Sequence, residues 1–179
     1  MIPPEVAEEI RRHGVPCCLI GAAALAVHGF ARYSADIDLL TLDRRVLSEN
    51  FWKGASPAPE VRVGDADDPL AGVVRWHVEP EVDLIAGKGH AARFALETAA
   101  PAPGLPCPVA TPLALALLKL EAASPQDLAD VLSLAAVQRE LNGAPWVAEI
   151  PSHVAKLSAA ARAAWQQLEP ALARILTHG

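Results

Sequence analysis

Aromatic side chains are scarce, with four Trp, three Phe and one Tyr in 179 residues. A surface that stacks successive nucleobases needs several rings, so a single-strand nucleic-acid-binding module is disfavoured. Basic residues are also in short supply: 15 Lys and Arg stand against 21 Asp and Glu, a net charge of -6. That balance argues against an affinity for nucleic acid resting on global neutralisation of phosphates, while leaving room for a local basic groove. Cysteines number three, Cys17, Cys18 and Cys107, without CxxC spacing, and the adjacent pair could form only a strained vicinal bridge. No apolar run approaches the roughly 18 to 20 residues needed to span a bilayer, the longest candidate lying around Cys17 to Val27. Met1 to Arg12 shows no basic stretch followed by an apolar one. A reduced, cytoplasmic protein with no membrane segment is therefore expected.

What the chain does have is Ala, Leu and Val. Hydrophobic residues make up 52% and charged residues 20%, a composition that buries a core and excludes disorder as a description of the whole chain. The length suits one ordinary domain, or a medium one with an appended subdomain.

Pro4 to His13 reads as a short amphipathic helix, with acids at its start and Gly14 after it. Pro16 to Ile20 reads as a strand running into an Ala-rich helix from Gly21, closed by His28 and Gly29. Ala35 to Leu42 alternates, placing Asp36, Asp38 and Leu40 on one side and Ile37, Leu39 and Thr41 on the other. Asp43 to about Phe51 reads as helical, and Glu60 to Val63, Gly72 to Val78 and Val82 to Ile85 as strands, with turn chemistry from Gly64 to Pro69. Lys88 to Thr98 is an expected helix, and Pro101 to Pro106 an expected linker. Beyond it helix formers dominate: Pro112 to Ala123, Pro125 to about Glu140, and two stretches between Trp146 and Thr177 broken near Pro151 and Ser158. The expected architecture is α/β (α+β), a mixed sheet flanked by helices over residues 1–104 and a C-terminal helical bundle over residues 105–179.

Asp is poorly suited to strand interiors, yet Asp36, Asp38 and Asp83 sit inside apolar strand patterns, Asp-Ile-Asp-Leu-Leu and Val-Asp-Leu-Ile. If the two strands pair, three carboxylates converge, and their mutual repulsion calls for a cation. Magnesium, which takes one or two carboxylates together with substrate phosphates, matches acids at i and i+2 with a third nearby. The strand, Gly21 turn and helix upstream would offer backbone N–H groups to an anion. His13, His28, His77, His90, His153 and His178 show no zinc spacing, and Asp65, Asp67 and Asp68 lack the glycine and glutamate of a calcium loop.

The order Gly21-Ala22, thirteen residues, Asp36-Ile-Asp38-Leu-Leu and a later Val-Asp83-Leu-Ile resembles the signature of the polymerase-beta-like nucleotidyltransferase superfamily. More narrowly, the stretch from Gly21 to Asp38 is similar to the AbiEii-type branch, which includes toxin–antitoxin nucleotidyltransferases and in which an Arg and a Ser or Thr precede the acids, as Arg32 and Ser34 do here. The resemblance implies that Asp36, Asp38 and Asp83 hold two magnesium ions, that Asp83 helps deprotonate the attacking hydroxyl, and that Gly21, Ala22, Arg32 and Ser34 lie at the nucleotide. It departs from the family pattern at Ala22, usually Ser or Gly, which has no hydroxyl to donate to a phosphate.

Lys119 sits among Leu115, Ala116, Ala122 and Ala123 on an apolar helix face, and Asp127 and Asp130 follow on the next helix. AbiEii-type proteins resemble this stretch too, with Gln126 here in place of a Lys or Arg. Two readings stand: Lys119 reaches nucleotide phosphates with Asp127 orienting it, or Lys119 snorkels and Asp127 complements a helix dipole. The implied activity is metal-dependent transfer of a nucleoside monophosphate from a nucleoside triphosphate to a hydroxyl on a tRNA, a protein or a small molecule. A toxin–antitoxin role with a cognate partner, an aminoglycoside-type small-molecule transferase, and an inactive fold that binds a nucleotide or partner are the alternatives.

Overall fold

The computed structural model describes residues 1–65 and 70–177. Residues 66–69, within the expected Gly64 to Pro69 turn, and His178 lie outside the described residues, so the dismissed calcium-loop pattern is described only at Asp65.

Five strands form one mixed sheet in the order β1-β2-β5-β4-β3. They are β1 (Cys18–Leu19), β2 (Asp36–Thr41), β3 (Glu60–Val63), β4 (Gly72–Trp76) and β5 (Glu81–Ala86). β2 and β5 run parallel, and every other pairing is antiparallel. The helices are α1 (Pro4–Arg12), α2 (Gly21–Val27), α3 (Gly89–Thr98), α4 (Pro112–Ala122), α5 (Pro125–Asn142), α6 (Ile150–Val154) and α7 (Ala159–Thr177). The mixed sheet with flanking helices and a helical C-terminal half is the α+β architecture expected from the alternation of patterns.

α4 joins the two halves. Leu113 to Leu117 and Leu120 are all buried, so it is apolar on nearly every side, as a helix enclosed by others must be. It packs on α2 and α3 at the sheet and on α5, α6 and α7 beyond it. Thr111 caps its start, accepting from the Ala114 N–H, with Pro112 in the first turn. α5 starts the same way, with Ser124 accepting from the Asp127 N–H and Pro125 behind it, and ends at Gly143 with φ +80°. One continuous core runs from Val6 and Leu25 through Leu39, Trp76 and Leu84 to Leu117, Leu134 and Leu172.

Two segments differ from the sequence reading. Asp43 to Phe51 is not one helix but two 3-10 turns, Arg44–Leu47 and Glu49–Trp52. Ser48 between them is extended, and the Asp43 carboxylate accepts from Arg45 N–H and side chain, holding the chain in a tight local turn. The Pro101 to Pro106 stretch is no open spacer either. Ala100 and Val109 exchange two backbone hydrogen bonds of 2.9 and 2.8 Å, which closes the segment into a loop. Val109 also bridges Leu19, so the chain is tied to the outer side of β1 before it enters α4.

Candidate functional site

The site grows from the register of the sheet. Asp38 on β2 lies directly opposite Asp83 on the parallel β5, and Asp36 precedes Asp38 by two residues on the same face. One carboxylate oxygen from each of Asp36, Asp38 and Asp83 lies within 4.8 Å of the others, the only such grouping among the described residues. Each is fixed differently. Asp36 accepts from the Ser34 hydroxyl at 2.7 Å. Both oxygens of Asp83 accept from Arg75 on β4, Nε to Oδ1 at 2.7 Å and Nη2 to Oδ2 at 2.5 Å. Asp38 lies between them, and burial, then the charges of Asp36 and Asp83, push its carboxyl up to about 6.

Gly21 explains how that carboxylate fits. A Cβ at Gly21 would stand 2.0 Å from Asp38 Oδ2, and its φ is +62°. Only glycine lets the backbone turn from β1 into α2 while the Asp38 side chain rests against it. The backbone agrees, since the Ile20 N–H donates to the Asp38 carbonyl at 2.9 Å. An anion cannot share this place with the Asp38 carboxylate unless a cation lies between them. Ala22 is buried at 3% exposure, in the wall of a cavity that Arg32, Ser34 and Asp36 also line.

Lys119 projects from α4 towards the same place, and with Arg32 it opposes the upward push on Asp38. Its Nζ donates to Asp127 at 2.7 Å and to Asp130 at 2.8 Å. Asp130, fully buried, also accepts from Gln126 at 2.8 Å and from Arg32 Nε at 3.1 Å. Two cations and two carboxylates thus link the loop before β2 to α4 and α5. Burial pushes Asp130 up, but its bonds to Lys119 and Gln126 outweigh this and leave it below the usual carboxylate range.

Of the nine residues expected from the sequence, the structure brings Asp36, Asp38 and Asp83 together, sets Gly21, Lys119 and Asp127 with Asp38 along one cavity, and sets Ala22, Arg32 and Ser34 with Asp36 along a second. One further residue was missed: Arg75 faces Asp83 only through the β4–β5 register, which the residues of β4 do not reveal. Asp130, noted in the sequence only as the second acid after Asp127, proves to share Lys119 with it.

A cavity of about 410 Å³ opens at Asp38. Gly21, Asp38, Lys88 and Lys119 lie along it, while Leu40, Ile85, Leu115 and Leu118 make it largely apolar. A mostly apolar cleft of this size with a few convergent charges is the usual form of a small-molecule site.

No protein-family profile matches the sequence, and no curated protein matches it. Solved structures are similar in fold, two of them described as nucleotidyltransferase-like or as an antibiotic-resistance factor. One is an antigenic nucleotidyltransferase-like protein from Paracoccidioides brasiliensis, 17% identical, with a TM-score of 0.51 over 96% of this chain and 88% of that one. The other is the antibiotic-resistance factor ANT(2'')-Ia, 15% identical, with a TM-score of 0.53 over 98% of this chain and 95% of that one. The chain has a nucleotidyltransferase-like fold.

Proposed function

We propose that this protein is a metal-dependent nucleotidyltransferase that moves a nucleoside monophosphate from a nucleoside triphosphate to a hydroxyl acceptor. The observation that carries the reading is the convergence of Asp36, Asp38 and Asp83, with Asp38 lining a cavity that Lys119 also lines from α4. Three carboxylates this close, one of them pushed up to about 6, form a donor set for a hard divalent cation. Magnesium bound there would neutralise charge on the phosphates and the leaving pyrophosphate.

The chain's own residues divide the remaining work. Lys119, oriented by Asp127 and Asp130, supplies a fixed positive charge for phosphate oxygens, and Arg32, which lines a cavity with Asp36, a second. Arg75 holds Asp83 in a two-pronged grip that sets its direction. Each Asp83 oxygen keeps a lone pair outside that grip, enough to take a proton from the attacking hydroxyl or to meet a cation. The apolar walls, Leu115 and Leu118 among them, exclude water from the triphosphate and take up the nucleoside. Ala22 contributes no hydroxyl, so phosphate binding rests on the cations and on backbone N–H groups. We take residues 1–104 as the nucleotidyltransferase unit and residues 105–179 as the unit that brings Lys119 to the nucleotide.

The acceptor follows two lines. The stretch from Gly21 to Asp38 supports an AbiEii-type, toxin–antitoxin role with tRNA or protein as acceptor, in a cytoplasmic setting with a cognate partner. The fold likeness to an antibiotic-resistance factor favours a small-molecule acceptor of aminoglycoside type.

Incubation of the purified protein with magnesium, each of the four nucleoside triphosphates labelled at the α-phosphate, and tRNA, protein or aminoglycoside acceptors tests the reading. Label transfer to one acceptor class, absent in Asp36→Asn, is the expected result. A protein that binds a triphosphate but transfers nothing with any acceptor would contradict it and favour a nucleotide-binding module.

A further inference from the structure

Cys17 and Cys107 are separated by most of the α/β half in sequence, yet their segments meet. The parallel bridge between Leu19 and Val109, made by the Leu19 N–H to the Pro108 carbonyl at 2.8 Å and the Ala110 N–H to the Leu19 carbonyl at 3.0 Å, sets the two segments side by side. Cys17 lies two residues before Leu19 and Cys107 two before Val109, so both side chains leave the same face of this short pairing. Both side chains line the same cavity. Neighbouring strands lie roughly 4.8 Å apart, inside the Cα separation of about 4.4 to 6.8 Å that a disulfide requires.

Access separates these thiols from the third. Cys17 and Cys107 are half-buried in the wall of an apolar cavity of about 570 Å³, together with Leu39, Leu96 and Ala99, whereas Cys18 is fully buried on the opposite side of β1. We propose that Cys17 and Cys107 form an oxidation site at which a small hydroperoxide, entering through this cavity, joins them as an intramolecular disulfide.

The chemistry is the same whichever sulfur attacks first; with Cys107 as the thiolate it balances in two steps. The Cys107 sulfur bonds to one peroxide oxygen, the O–O bond breaks, and hydroxide or alkoxide leaves with the electron pair, giving a sulfenic acid. The Cys17 sulfur then loses its proton and attacks the Cys107 sulfur; an S–S bond forms, the S–O bond breaks, and the departing hydroxide takes the proton as water. Two thiols lose two electrons and two protons, and the hydroperoxide becomes water or an alcohol and water. The product fastens the outer strand of the sheet to the segment that leads into α4. The inference is independent of the proposed nucleotidyl transfer.

The test uses the full chain, treated with hydrogen peroxide, quenched, denatured and alkylated, with intact mass and peptide mapping as the readout. The wild type is expected to lose about 2 Da and retain one alkylatable thiol. Its melting temperature should rise by several degrees, because the cross-link closes a long loop, and a dithiol reductant should reverse the rise. Cys18→Ser should behave identically but retain no alkylatable thiol, which assigns the bond although Cys17 and Cys18 share a peptide. Cys17→Ser should form no intramolecular disulfide and instead gain oxygen at Cys107. The proposal is overturned if the cross-link persists in Cys17→Ser or Cys107→Ser, or if the wild type gains oxygen at Cys107 without ever losing two thiols.

Discussion

Two clusters of charged side chains face each other across the junction of the halves, and they are balanced in opposite ways. On the helical side Lys119 and Arg32 meet Asp127 and Asp130, two positive charges against two negative ones, with Gln126 and Ser124 satisfying further oxygens. On the sheet side Asp36, Asp38 and Asp83 meet one bonded cation, Arg75, which Asp83 shares with Glu81. The first cluster is balanced in itself, and its carboxylates hold Lys119 and Arg32 in place. The second is left with an excess of negative charge, which a fold tolerates where something else supplies the missing cation. Similar residues at similar burial thus do different work, and charge balance tells them apart.

Substitution is the sharpest way to break the comparison, because removing an acid should have opposite consequences for stability in the two clusters. Asp38→Asn should lower nucleotidyl transfer by about a thousandfold or more, since the cation that stabilises the transferring phosphate loses a ligand. Metal-free, the same variant should melt no lower than the wild type, because a repelled and desolvated charge has been removed. Asp130→Ala should do the reverse to the fold, costing about 3 to 5 kcal/mol in denaturant unfolding, as Lys119 and Arg32 are left with a buried carboxylate missing.

The pH dependence of stability separates the clusters next. Asp38 titrates near 6 in the folded chain and near 3.8 in the unfolded one, so between those values the folded state holds the extra proton. Without metal, stability should therefore fall as pH rises from about 4 to about 6, by up to about 3 kcal/mol, and Asp38→Asn should remove that slope. Asp130, held below its ordinary value, contributes in the opposite sense: its stabilisation is present above the unfolded value and is lost as pH falls through the folded one. Gly21→Ala is the smallest perturbation. The positive φ costs about 1 to 2 kcal/mol, and the added methyl displaces the Asp38 carboxylate it would meet at 2.0 Å, so divalent-cation affinity should fall while the secondary structure persists.

Much of this was legible in the residues. Acids inside apolar strand patterns announced Asp36, Asp38 and Asp83 without any knowledge of the fold, because an aspartate in a strand interior needs a reason. The Gly21 turn, the closing Gly29 and the first-turn prolines Pro112 and Pro125 delimited helices for the same kind of reason: each is a residue type that a particular backbone position demands. Arg75 was invisible, since its meaning lies in a strand register set by the whole sheet. The Cys17–Cys107 juxtaposition was equally hidden, because a single bridge between Leu19 and Val109 creates it. The two 3-10 turns from Arg44 to Trp52 escaped because the Asp43 side chain, a local competitor for backbone N–H groups, interrupts a pattern that otherwise suits a helix.

The most direct test of the central claim, that the sheet-side acids are a divalent-cation site and the helix-side acids are not, is thermal melting at pH 7.5 with and without magnesium for the wild type, Asp38→Asn and Asp127→Asn. At 100 times its dissociation constant a bound ion stabilises the folded state by about 2.7 kcal/mol, a rise of several degrees at this size. The account predicts that rise in the wild type and in Asp127→Asn and none in Asp38→Asn. An equal magnesium response in Asp38→Asn, or none in any of the three proteins, would contradict it.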